Sequence, residues 1–154
     1  MRKLTMIVVH CTASRCTSTL TPAALTTQHR HRGFTSCGYH YYITRNGDIH
    51  PMRDVSEIGA HVRGCNAYSI GVAYEGGLDA AGKPADTRTD EQKASLISLL
   101  RYLKETYPEI VLIIGHRDLS PDLNRDGKIE PKEWVKVCPC FNASAEYKHL
   151  LTVE

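Results

Sequence analysis

The sequence predicts an α/β fold, with a mixed central β-sheet flanked by helices. Three observations predict it. Short apolar, β-branched runs recur at 4–10, 69–74 and 110–114, each the length of a buried strand. Leu96, Leu99, Leu100, Leu103 and Tyr107 fall at helical spacing and define the clearest amphipathic helix. Turn and cap signals separate these runs and give the order β-α-β-β-β-α-β-α within 154 residues, one domain's worth of chain.

The first strand covers 4–10 and ends at His10-Cys11; the polar stretch 12–19 reads as a loop. Thr21-Pro22 starts a helix, with threonine as N-cap and proline at the first helical position, and Gly33 stops it just after Arg32. Residues 38–44 are aromatic and β-branched, and Arg45-Asn46-Gly47-Asp48 is a hairpin turn returning as a strand over 49–52. Residues 55–66 are irregular and carry His61, and the strand at 69–74 leads into Gly76-Gly77. Thr89 and Gln92 form a capping box for the long helix, which Pro108 closes. The strand at 110–114 ends at Gly115-His116. A polar, turn-rich stretch then leads to a short helix over 131–137, and the chain after Phe141 carries no clear signal.

Composition narrows the function classes. Hydrophobic residues are 42% and charged residues 23%, the balance of a folded domain and not of a disordered chain. Net charge is +2 and no basic block is interleaved with aromatics, so no nucleic-acid partner is expected. No segment is long and apolar enough to span a bilayer, and the run at 6–9 is too short for a signal-peptide core. The expectation is a monomer, cytoplasmic as synthesised, without membrane insertion. Six cysteines (Cys11, Cys16, Cys37, Cys65, Cys138 and Cys140) read first as small buried hydrophobes, or as metal ligands where histidines are near. In an oxidising environment Cys37 and Cys65 could pair with each other or with Cys140.

His10 and His116 sit at strand ends, where a rigid element meets an open loop, and Cys138 follows further on. Two imidazoles and a thiolate suit zinc and leave a fourth position open. Their long spacings form no local motif, so spacing alone does not bring them together.

The segments IVVHCTAS (7–14), HRHRGF (29–34), GYHYYITRNG (38–47), GAHVRGCNAYSIGVAYEGGLD (59–79), GHRDLSP (115–121) and KVCPCF (136–141) occur in an order that resembles the type 2 N-acetylmuramoyl-L-alanine amidases. The small phage lysozymes of that family resemble it most, and peptidoglycan recognition proteins share the fold. The resemblance implies a single amidase domain over 1–154 that hydrolyses the amide between the lactyl group of N-acetylmuramic acid and L-alanine in peptidoglycan or muropeptides. It implies His10, His116 and Cys138 as zinc ligands, and Tyr39 and Lys136 as catalytic residues. His61 matches a groove-lining histidine, with roles open between substrate contact and proton transfer. Arg63, Asn66 and Ser69 join it as substrate-binding candidates, although Asn66 and Ser69 could equally shape the turn before the strand. His40 and His29 read as structural.

The sequence departs from that family between His116 and Cys138. An insertion at about 119–135 contains the spacing D-x-N-x-D-G-x5-E of a calcium loop. Asp122, Asn124, Asp126 and Glu133 would supply side-chain oxygens and Lys128 its carbonyl, as a structural calcium site; the competing reading is a solvated polar loop. Cys140, two residues after Cys138, and Asp118 are alternative metal ligands. A non-catalytic peptidoglycan-binding protein of the same fold is the alternative function. Among enzymatic roles, a phage-type endolysin reaching the cell wall after release is preferred over a cytoplasmic recycling enzyme.

Overall fold

The structure, a computed structural model, describes residues 2–152. In chain order the elements are β1 (Met6–Cys11), β2 (Ser14–Arg15), α1 (Pro22–His31), β3 (Tyr41–Ile43), β4 (Ile49–Pro51), β5 (Ser69–Tyr74), β6 (Gly77–Leu78), α2 (Asp90–Thr106), β7 (Leu112–Gly115) and α3 (Ala143–Tyr147). Five strands form one sheet in the order β4-β3-β5-β1-β7. Only β4 is antiparallel, hairpinned onto β3; the remaining pairs are parallel. This is the expected mixed sheet.

Central β1 is buried at all six positions, as a parallel strand covered on both faces must be. Ile7, Val9 and Cys11 alternate onto one face and pack against Leu96, Leu99, Leu100 and Leu103 of α2, with Phe141 and Tyr147 from the C-terminal segment. Met6 and Val8 point the other way, against Val62 and Ile114. His10 continues that second row. Beside it, α1 covers the same face through Leu25, packed with Cys37, Tyr42 and Ala73.

The caps follow the sequence. Thr21 accepts from the Ala24 N–H at the start of α1, and the Thr89–Gln92 capping box opens α2. The expected helix over 131–137 is only a 3-10 turn, Pro131–Glu133, because Glu133 turns back to bond backbone N–H groups upstream. The tail forms α3 and a following 3-10 turn, and Arg88 fastens it: its guanidinium bonds Asp86 and Glu146 and lies 3.4 Å from the Phe141 ring centroid. Two short strands were not expected: β2 and β6 pair in parallel within the stretches read as loop and turn.

Candidate metal centre

The register of the sheet builds the site. Val9 of β1 lies opposite Gly115 of β7, so the next residue along each chain, His10 and His116, emerges at the same sheet end. Their ring centroids are 4.8 Å apart. Beyond Gly115 the chain turns into a 3-10 segment, His116–Leu119, which Asp118 caps by accepting from the Gly115 N–H at 2.8 Å. That bond occupies Asp118 with the backbone, and Asp118 is not in the metal-ligand group.

Cys138 returns from the insertion to the same place. Its carbonyl accepts from the Arg117 N–H at 2.8 Å, and its Sγ accepts from the Cys11 N–H at 3.1 Å. His10 Nδ1 faces that sulfur at 3.9 Å. One ligand atom each from His10, His116 and Cys138 lies within 4.8 Å of the others. Cys140 points away, its Sγ 3.3 Å from the Gly77 carbonyl and 3.9 Å from Cys11 Sγ. All six cysteines are free thiols.

The electrostatics suit cation binding through lone pairs. Burial first, and then the neighbouring His61 and His116, hold the His10 imidazole well below its ordinary pKa. Burial, and then Lys136, lower His116 to about 4. Both rings are therefore neutral at physiological pH, with a nitrogen lone pair free. Two neutral imidazoles beside a sulfur that receives an N–H bond form a donor set that fits a single metal ion.

The ligands open onto a cleft of about 170 Å³, whose walls include Tyr39, His61, Lys136, His29 and Arg32. Tyr39 sits between His10 and His29, its ring tilted against both, with centroids at 5.1 and 5.2 Å. Burial pushes its phenol pKa well up, so the group stays protonated. Lys136 is exposed at the cleft edge. A larger surface hollow of about 690 Å³, between α2 and the C-terminal turn, has no metal-ligand group in its lining among the described residues.

The other expected residues divide. Arg63 lines an adjoining groove that shares His116 and Lys136 with the cleft. Asn66 serves the turn: its Oδ1 accepts from the N–H groups of His61 and Val62 at 3.0 and 2.8 Å. Ser69 is fully buried, and its hydroxyl donates to the Cys65 carbonyl at 2.7 Å. His61 reaches the cleft wall with its Nδ1 2.8 Å from His10 Nε2. His40 is buried and bonded to backbone, and His29 accepts the Gly38 N–H at 2.7 Å, both as structural residues would be. Arg32 was missed; nothing in its exposed helix-end position signals the cleft, which forms only when the segments carrying Tyr39 and Lys136 fold over.

In the insertion, carboxylate oxygens of Asp122, Asp126 and Glu133 gather within 4.8 Å of one another. Gly127, at φ +80°, makes the turn, and its N–H donates to Asp122 Oδ2 at 2.8 Å. Asn124 bonds Asp126 from both ends of its amide. Glu133 is buried and accepts from the N–H groups of Leu123, Asn124 and Glu130, so its carboxylate caps the loop from within.

Comparison with known proteins agrees with this geometry. The family model described as N-acetylmuramoyl-L-alanine amidase matches residues 1–133. The endolysin of Enterobacteria phage K11 is 34% identical over 134 residues, covering 87% of this chain and 79% of that protein. Among solved structures, the endolysin N-acetylmuramoyl-L-alanine amidase LysCS from Clostridium intestinale superposes with a TM-score of 0.75 at 30% identity, covering 99% of this chain and 86% of the other. Bumblebee PGRP-SA, at 16% identity, shares the fold with a TM-score of 0.71 over 96% of this chain and 82% of its own. With its two histidines and cysteine meeting at one end of the sheet, this chain belongs to the N-acetylmuramoyl-L-alanine amidase family.

Proposed function

We propose that the protein is a zinc-dependent amidase that releases the L-alanine-headed peptide from the lactyl group of N-acetylmuramic acid in peptidoglycan. The convergence of His10, His116 and Cys138 from three separate segments is the observation that carries this reading. Two imidazoles and one thiolate are a zinc set that leaves a position open for reaction. Zinc bound there would polarise the scissile carbonyl and activate water.

The protein's own groups complete the chemistry. The Lys136 ammonium at the cleft edge offers positive charge to the oxyanion that develops on the lactyl carbonyl. Tyr39, held protonated by burial, offers its hydroxyl as a hydrogen-bond donor and does not act as a base. Arg63, in the groove beyond Lys136, is placed to meet a carboxylate of the stem peptide. The likeness to phage endolysins supports a lytic role, with the wall reached after release from the cytoplasm. Retention of the cysteine ligand favours catalysis over binding alone.

The insertion supports a second, structural cation. Its twelve-residue spacing fits a calcium loop, and Asp122 Oδ1 is buried with no hydrogen-bond partner. Calcium there would take oxygens of Asp122, Asn124, Asp126 and Glu133 and the Lys128 carbonyl. Elemental analysis after dialysis tests the first site: one zinc per chain in wild type and none in Cys138→Ser supports the reading, and zinc retained in Cys138→Ser overturns the ligand set.

A further inference from the structure

The cleft histidine that carries no assigned task is His61, and its surroundings define one. We propose that His61 is a positioning residue which, with Ser69, holds His10 in the tautomer that leaves Nδ1 bare for the metal. The proposal deepens the metal-centre reading and rests on it.

The direction of every bond in the chain follows from its far end. The Cys65 carbonyl can only accept, so the single hydroxyl hydrogen of Ser69 is spent on it, at 2.7 Å. Ser69 Oγ must then accept from His61, whose Nε2 lies 3.3 Å away and so carries the hydrogen. A neutral imidazole protonated on Nε2 has a bare Nδ1. That atom sits 2.8 Å from His10 Nε2 and accepts its hydrogen. His10 is thereby left with its lone pair on Nδ1, the nitrogen that faces Cys138 Sγ. Three side chains in series translate one backbone carbonyl into the choice of ligand atom.

Two glycines make room for the relay. A Cβ added at Gly71 of β5 would come within 2.7 Å of the His61 ring, and one added at Gly59 within 2.8 Å. The imidazole thus lies in a slot between the sheet and the preceding loop. Asn66 fixes the backbone on either side of it through the N–H groups of His61 and Val62. Glycine at 59 and 71, asparagine at 66 and serine at 69 therefore share one task, holding His61 against His10. The hydrogen-bond partner of a metal-bound histidine typically tunes metal affinity by about 10- to 100-fold.

Long-range 1H–15N NMR of the histidine rings in the zinc-free protein tests the order directly, with chelator competition measuring zinc affinity. The wild type should show His10 protonated on Nε2 and bare on Nδ1. His61→Phe, which keeps a ring but no acceptor, should mix the His10 tautomers and weaken zinc by roughly 10- to 100-fold. His61→Asn returns an acceptor near the Nδ1 position and should recover most of that affinity. Ser69→Ala should mix the tautomers of His61 itself. A wild-type His10 protonated on Nδ1 overturns the proposal, as does unchanged zinc affinity in His61→Phe. The wild-type spectrum alone decides the tautomer should a variant not fold. A wild type with the expected tautomer that takes up no zinc would instead overturn the metal reading on which the proposal rests.

Discussion

The backbone N–H of Cys11 points at the sulfur of Cys138, 3.1 Å away, across 127 residues of sequence. That bond holds the sulfur at the end of β1, beside His10. It also ties the end of the insertion to the strand that carries His10, so the third ligand is fixed by the first strand's own backbone. Cys140 lies two residues on and faces Gly77 instead. Cys140→Ser should therefore keep the metal and most activity, whereas Cys138→Ser loses both; metal analysis of the two purified variants separates them.

Lys136 and Tyr39 should act on turnover more than on substrate affinity. Removing one oxyanion-stabilising group costs about 10²- to 10³-fold in kcat, and Lys136→Ala is expected in that range with zinc still bound. Tyr39→Phe removes only the hydroxyl and should lower kcat with the fold and metal intact. Because burial raises the Tyr39 pKa, deprotonation of this residue should give no loss of activity between pH 7 and 9. An unchanged kcat in Tyr39→Phe would remove it from the chemistry.

Stability of the metal-free protein should fall in mild acid. His40 is fully buried, its Nδ1 accepts from the Gly71 N–H and its Nε2 donates to the Glu57 carbonyl. Burial, aided by the Arg2 guanidinium, lowers its pKa from 6.5 to about 4. The unfolded chain takes up a proton near pH 6.5 and the folded chain only near 4, so the contribution is complete above 6.5 and lost as the pH falls towards 4. For His40 alone this is on the order of 3 kcal/mol. Urea unfolding at pH 7.5 and 4.5 should show the decline, with a shallower dependence in His40→Asn.

Arg88 is the anchor of the C-terminal segment. It is 8% exposed, bonds Asp86, Glu146 and the Tyr147 hydroxyl, and covers the Phe141 ring. Its carboxylate partners are partly exposed, which limits the cost of losing it. Arg88→Ala should destabilise by about 2–3 kcal/mol, the scale of hydrogen bonds to charged groups, read as a shift in the urea midpoint.

Calcium should raise the melting temperature of the zinc-loaded wild type and leave Glu133→Gln unmoved. The insertion ends at the residues leading to Lys136 and Cys138, and Arg117, next to His116, lies 4.0 Å from the Trp134 ring centroid. Ordering the loop therefore steadies two parts of the centre. No shift on titration with calcium chloride would leave Asp122–Glu133 as a loop that Glu133 caps by itself.

Local signals were legible where one segment decides its own structure. The threonine caps, the Arg45–Asp48 turn and the leucine stripe of α2 needed only their neighbours, and each formed as the pattern dictated. Strands β2 and β6 were not legible, because two-residue strands have no periodicity and exist only where their segments meet. The ligand triad was legible through family resemblance and not through spacing, since His10 and His116 meet by sheet register and Cys138 by the return of the insertion onto β1. Asn66 and Ser69 were legible as residues of the groove or of the turn before the strand; that Asn66 holds the backbone of His61 and Val62 while Ser69 bonds the Cys65 carbonyl and the His61 ring is a placement only the folded loop reveals.

The most direct test of the central claim is mass spectrometry of purified muropeptides treated with the zinc-loaded protein. The account predicts a free lactyl carboxylate on the sugar and a released peptide with L-alanine at its amino terminus, both absent with Cys138→Ser. Cleavage within the glycan or between peptide residues, or bound but uncut muropeptide with zinc in place, would contradict it.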